Sequence, residues 1–303
     1  MLVGGQDIHR HTTSLLEQAK KSIDVEMYTF GDWKLADLLI RKARAGVAVR
    51  VILDRHSDVN RAMKRYLSAE RVPVVFYPTE TDAIDHVKLI VVDGFRVVIG
   101  GANWGEHSPK NFDVAVEVEG ESAAWSQALF NQDFEKSKAR VGRGLPVSKQ
   151  PRGDRQACRI VTDWDIRKVL MDHVGGAKQS IVVALYVLTD REVLSELIDA
   201  HRRGLRVNVM LDPGDDLRLN QKAYDRLKKA KVPVKWYEPN REDREKFHIK
   251  MVVVDGKMAA LGSANYTFRG LKSNHECVIF LSNLKSVQRL QHAFDQVWNR
   301  GRQ

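Results

Sequence analysis

Between Ser22 and Asp54 the chain reads SIDVEMYTFGDWKLADLLIRKARAGVAVRVILD. A short β-branched apolar run gives way to apolar residues at helical spacing (Leu35, Leu38, Leu39), a glycine at Gly46 and a second apolar run. That pattern predicts strand, helix, C-capping glycine and strand. The same order returns between Ser180 and Asp212, with Val193, Leu194, Leu197 and Ile198 on the helix face and Gly204 at its end. In both places a polar helix is expected next, near 59–70 and 217–230. A strand after Val72-Pro73 or Val232-Pro233 follows, then two apolar strands joined by Asp-Gly, and a closing helix near 122–138 or 284–300.

The match is tightest at HVKLIVVDGFRVVIGGAN, from His86, and HIKMVVVDGKMAALGSAN, from His248. Residues two apart on a strand share a face, so His86 and Lys88 point to one place, as do His248 and Lys250. Asp93-Gly94 and Asp255-Gly256 carry a strong hairpin signal, which makes turn chemistry the expected role of both aspartates. The second strand of each pair ends in Gly100-Gly101-Ala102-Asn103 or Gly262-Ser263-Ala264-Asn265, where small residues let backbone approach an anion and Asn can donate a hydrogen bond. The whole constellation occurs twice at matched offsets, which chance does not explain. A period near 160 residues is far too long for a solenoid. The chain therefore reads as a duplicated domain: a half at 1–140, a Gly-, Pro- and Arg-rich linker at 141–156, and a half at 157–303.

Bulk properties narrow the picture. At 303 residues, 43% of them hydrophobic, the chain can bury a sizeable core. Lys and Arg outnumber Asp and Glu by 49 to 39, a net charge of +10 that suits an anionic partner such as nucleic acid, an acidic membrane surface or a phosphorylated substrate. Two cysteines, Cys158 and Cys277, make neither a disulfide framework nor a zinc site. There is no apolar run of the roughly 18 residues that span a bilayer, and MLVGGQDIHRHTTS is not a signal peptide. A cytoplasmic or peripheral membrane location is the expectation. The sequence shows no metal-ligand cluster and calls for no cofactor.

The pattern HxKxxxxD, six residues, then GG or GS, one residue and Asn is similar to the phospholipase D superfamily signature, and both copies match it. The resemblance implies two α/β/α sandwich halves, pseudo-symmetric, with mixed, largely parallel sheets, and with both motifs facing one cleft. A monomer would then hold a complete site. It implies metal-independent cleavage or transfer at a phosphodiester. The residue types fit that chemistry. Lys88, Lys250, Asn103 and Asn265, with Ser263 as a further candidate, can bind the phosphate oxygens and stabilise charge as it develops. One neutral imidazole can attack phosphorus while the other, protonated, supplies the leaving oxygen with its proton. By resemblance the nucleophile is His86 and the general acid His248. Each imidazole needs a partner to fix its tautomer. Asp113 in NFDV and Glu276 in NHEC are the candidates, 27 residues after His86 and 28 after His248. Pairing within a half or across the cleft is left open. His56, His107, His173 and His275 read as surface or cleft-rim residues.

The resemblance covers phospholipases, cardiolipin and phosphatidylserine synthases, and nucleases. The GG then GS asymmetry resembles phospholipase D and cardiolipin synthase enzymes, whereas GSANYT, NHE and the closing VWNRGRQ look closer to small bacterial nucleases. The expectation is a phosphodiesterase or phosphatidyltransferase acting on phospholipid headgroups, with an anionic membrane surface as partner and nucleic acid as the alternative. Trp104, Phe112, Tyr266 and Phe268 are expected near the cleft mouth, where they would touch lipid or stack on bases; packing beneath the loops is the plainer role.

Overall fold

A computed structural model describes residues 1–80, 82–139, 158–214 and 218–303. The expected linker at 141–156 lies outside the described residues. The first half runs β1 (Leu2–Val3), α1 (Gly5–Gln18), β2 (Ser22–Met27), α2 (Trp33–Arg44), β3 (Ala48–Leu53), α3 (Asp58–Ala69), β4 (Val74–Phe76), β5 (Lys88–Val92), β6 (Arg96–Gly100), β7 (Val114–Glu119) and α4 (Glu121–Ala139). The second runs β8 (Cys158–Thr162), α5 (Trp164–Gly175), β9 (Ser180–Leu185), α6 (Arg191–Arg202), β10 (Arg206–Leu211), α7 (Arg218–Lys229), β11 (Val234–Trp236), β12 (Lys250–Val254), β13 (Met258–Gly262), α8 (Phe268–Lys272), β14 (Cys277–Leu281) and α9 (Leu284–Arg300).

The strand orders are β1-β7-β6-β5-β2-β3-β4 and β11-β10-β9-β12-β13-β14-β8. Read from opposite ends they are one topology used twice, β8 taking the place of β1. Both sheets are mixed, but the expected parallel majority is corrected. Among the described residues only β2–β3–β4 and β9–β10–β11 pair in parallel, and the hairpins and edge strands are antiparallel. The reason is local. Each strand–helix–strand crossover gives a parallel pair, and the Asp-Gly turn then reverses the chain.

Side chains on β2 show how the layers form. Ile23, Val25 and Met27 are buried with the apolar faces of α1, α2 and α3. Asp24 and Glu26 point to the other face, where Asp24 accepts from Arg50 Nε at 2.7 Å. The second half repeats the helix-side cluster around Ile181, Val183 and Leu185. A third cluster joins the halves: Leu89, Val91 and Ile99 share it with Ala259, Leu261 and Ile279, and it takes in the inner faces of α4 and α9. The motif strands β5 and β12 are each central and buried at every position, so they are rigid platforms for what precedes them.

Candidate active site

The two Asp-Gly turns put consecutive residues at positive φ, 55° and 69° at Asp93-Gly94 and 55° and 63° at Asp255-Gly256, in short connections between the paired Val92 and Arg96 and the paired Val254 and Met258. The Asp93 carboxylate accepts from the backbone amides of Lys20, Lys21 and Ser22, and Asp255 from those of Lys178, Gln179 and Ser180. Partial burial would raise both carboxyls, but the amides outweigh it and hold them below the usual range. Both aspartates thus sit at the far end of the motif hairpin and tie it to the start of the neighbouring strand.

At the other end each histidine is placed by backbone from the opposite half. His275 N donates to Ile84 O at 2.9 Å, and His86 N donates to His275 O at 2.8 Å. Phe112 N donates to Lys246 O, and His248 N to Phe112 O, both at 2.9 Å. Because residue 275 is pinned beside 86, residue 276 is delivered to the imidazole. His86 Nδ1 lies 2.9 Å from Glu276 Oε2 and 3.1 Å from Oε1. By the same ladder His248 Nδ1 lies 2.8 Å from Asp113 Oδ2. The carboxylates pair across the halves. With Nδ1 occupied, Nε2 of each ring is left for chemistry.

Lys88 and Lys250 donate to the carbonyls of His86 and His248, and their ammoniums lie 4.8 Å and 5.1 Å from the ring centres of Tyr28 and Tyr186. Those tyrosines also pack on the imidazoles, at 4.8 Å and 4.9 Å between ring centres. Burial, helped by Lys250 against the pull of Glu276, lowers Lys88 to about 7; burial against Asp113 and Glu276 lowers Lys250 to about 8. Burial and Lys250, opposed by Asp113, push His248 down to about 4. His86 is pushed down too, by burial and Lys88, against Glu276. Each lysine is felt by the other half's histidine, so the two motifs form one electrostatic site.

Asn103 and Asn265 each have a buried Oδ1 with no hydrogen-bond partner. A half-turn of either amide would exchange that oxygen for an NH₂ donor. Asn103 and His248 open onto a cavity of about 930 Å³ that Thr29, Tyr186, Arg244 and Lys246 also line; His86 lies deeper, its side chain 7% exposed.

Several expectations change. Ser263 is fully buried and donates to Glu276 Oε2 at 2.5 Å, so it holds the carboxylate behind His86 instead of facing the phosphate. Its counterpart is glycine for a steric reason: a Cβ on Gly101 would meet Asp113 Oδ1 at 2.4 Å. The GG and GS difference follows the carboxylate each half carries. Trp104 and Tyr266, both 5% exposed, are core residues, Trp104 edge-on to Phe30 at 4.8 Å. Phe112 is half-buried and stacked on Phe247 at 5.6 Å, and Phe268 alone of the four is open, at 62%. His107 lines the cavity, but His275 is 7% exposed and no rim residue.

Sequence reasoning passed over three repeated pairs. Tyr28 and Tyr186 support the histidines. Asp54 and Asp212 accept from the amides of Asp85 and Phe247, each one residue before the histidine. Asn60 and Asn220 bridge the carbonyls of Tyr28 and Asp54, or Tyr186 and Asp212. Identity between the two repeats was the signal that could have found them.

Fold and site together define a class: a duplicated α/β protein in which two His-Lys-Asn constellations share one cleft and exchange their carboxylates. A family model described as "Cardiolipin synthase, PLD-like domain" matches residues 12–136 and 170–298, and the chain belongs to that phospholipase D-like family. It is 28% identical to cardiolipin synthase 2 of Bacillus cereus over 97% of this chain, and it spans only 63% of that relative's length. The structure of phosphatidylserine synthase from Haemophilus influenzae superposes with a TM-score of 0.75 at 12% identity, covering 100% of this chain and 88% of that one. Polyphosphate kinase from Porphyromonas gingivalis gives 0.67 at 12% identity, over 94% and 44%. At such identity these two likenesses establish the fold alone.

Proposed function

We propose that this chain is a metal-independent phosphodiesterase or phosphatidyltransferase that works through a phosphohistidine on phospholipid headgroups. The observation that carries the reading is the pair of cross-half His–carboxylate contacts beside two buried lysines. In the first displacement Nε2 of one imidazole forms a bond to phosphorus, and the bond from phosphorus to the headgroup oxygen breaks. The other imidazole, protonated, gives that oxygen its proton. In the second, the same residue takes a proton from water or an alcohol as that oxygen bonds to phosphorus and the N–P bond breaks. Lys88, Lys250, Asn103 and Asn265 hold the phosphate oxygens throughout. The curated relative is a cardiolipin synthase by name, which supports lipid as substrate and an alcohol as acceptor.

His86 is assigned as nucleophile by resemblance. A second reading exchanges the roles, because His248 is the imidazole that lines the cavity. Acid quench during turnover, with peptide mapping of the labelled histidine, separates them. The same experiment tests the proposal. Phosphatidylglycerol vesicles and single-stranded DNA are offered in parallel, with EDTA present and no divalent cation added. Label on histidine with headgroup release or exchange from vesicles supports it. DNA cleavage with inert vesicles moves the substrate to nucleic acid, and activity that magnesium or calcium restores within mixing time would place a metal at the phosphate and end the metal-independent reading.

A further inference from the structure

Three side chains with no part in the phosphate site converge where the halves meet: Glu26 on β2, Asp133 on α4 and His275 just before β14. One ligand atom from each, an imidazole nitrogen and two carboxylate oxygens, lies within 4.8 Å of the others. His275 Nε2 is 3.3 Å from Glu26 Oε1 and 3.4 Å from Asp133 Oδ2. Charge-assisted hydrogen bonds are shorter, about 2.7–2.9 Å. The two separations from Nε2 are instead close to the edge of a tetrahedron whose corners lie about 2.0–2.1 Å from a zinc ion, roughly 3.3–3.4 Å.

Two further observations point the same way. His275 Nδ1 lies 2.8 Å from Asp163 Oδ1, the carboxylate–histidine arrangement that fixes the tautomer and leaves the Nε2 lone pair for a metal. And Glu26 Oε1, in a residue 1% exposed, has no well-formed hydrogen bond, its neighbour being His275 Nε2 at 3.3 Å. A buried carboxylate oxygen so poorly satisfied suits a cation.

We propose that Glu26, Asp133 and His275 hold a divalent first-row transition metal, zinc by donor set and spacing, as a staple between the halves. Two carboxylates balance a divalent charge and leave the imidazole neutral. Without a cation, Glu26, Asp133 and Asp163 all crowd one ring. Tyr77 stacks flat on that ring, 4.1 Å between centres, and both rings line a small cavity beside Asp163 and Lys136. The metal touches neither the phosphate-binding lysines nor the catalytic imidazoles. It steadies the segment whose carbonyl receives His86 N and whose next residue is Glu276.

Metal content and melting temperature test this independently of turnover. Wild-type protein is stripped with chelator, desalted, incubated with Zn²⁺ or Mn²⁺, and desalted again. Wild type should retain about one equivalent of zinc per chain and melt several degrees higher. E26Q and D133N, nearly isosteric, should lose both effects with unchanged circular dichroism. Wild type that retains no zinc overturns the proposal and leaves an imidazolium clamped by carboxylates; retention by both variants overturns it as well. If a variant fails to fold, Co²⁺-loaded wild type decides: tetrahedral d–d bands support the site, and their absence overturns it. Neither result bears on the phosphohistidine chemistry.

Discussion

An ammonium stripped of most of its water is an acid of moderate strength, and this protein places two of them side by side. With Lys88 near 7 and Lys250 near 8, binding a dianion should restore both toward their usual values and draw in protons. Sulfate, whose charge is constant across this range, should therefore bind more weakly as pH rises from about 7 to 9, with proton uptake visible when calorimetry is repeated in two buffers. A pH-independent affinity would count against the lysines as anion ligands. The sign for stability is opposite. Between their folded and unfolded pKa values the unfolded chain binds the extra protons, so the unliganded protein gains stability as pH rises above about 7. His248 works at the acid end. Its folded pKa near 4 lies below the ordinary 6.5, so stability falls as pH drops through that interval. The carboxylate partners give a second residue-scale prediction. E276Q and D113N keep shape but lose the charge that supports an imidazolium, and kcat/KM on bis-p-nitrophenyl phosphate should drop about 10²–10⁴-fold. E276Q added to H86A should cost little more, since the two act as a unit. His86, Lys88 and their counterparts were legible because the sequence repeats them at strand spacing. Asp113 and Glu276 could be named as partners, but not which imidazole each serves, since sequence separation carries no sign of which half a carboxylate reaches.

At the scale of single elements the motif hairpin is the unit to test. Its aspartate caps three amides of the preceding segment at the end remote from the histidine, so D93A should lower stability by about 1–3 kcal/mol while turnover per folded molecule stays within a few-fold. A loss as deep as that of H86A would instead place Asp93 in the chemistry. At the other end, G101S forces a Cβ against Asp113 Oδ1. It should depress turnover by displacing the partner of His248, and its melting temperature should fall less than its activity. The helices expected near 59–70, 122–138, 217–230 and 284–300 were read almost to the residue from their periodicity, whereas α1, α5 and α8 were not anticipated. Strand direction was misjudged, since apolar runs do not say which way a neighbour points. Trp104 and Tyr266 were misplaced because a large aromatic after a motif reads the same whether the loop covers it or presents it.

For the whole molecule, the +10 charge and the open cavity concern how substrate arrives. If the substrate is phospholipid, binding to phosphatidylglycerol vesicles should strengthen with anionic content and weaken with salt, at roughly 1 kcal/mol per engaged Lys or Arg. Phe268, exposed at 62%, is the aromatic to remove in place of the buried Trp104. F268A should reduce turnover on vesicles more than on bis-p-nitrophenyl phosphate, and equal reduction on both would argue that it does not meet the interface. Duplication could be read from the repeat, and the shared site followed from the family resemblance. The buried meeting of Glu26, Asp133 and His275 could not, because its members are scattered over both halves and only the packed interface brings them together.

The exchange of carboxylates also has a bearing on synthesis. A ribosome releases the first half while the second is still untranslated, so for that interval His86 waits without Glu276 and Asp113 without His248. The nascent first half therefore holds no imidazole oriented by a carboxylate. The paired site forms only after Glu276 has been translated and packed against the first half, so on the proposed chemistry the chain has the safeguard of a zymogen with no peptide to remove.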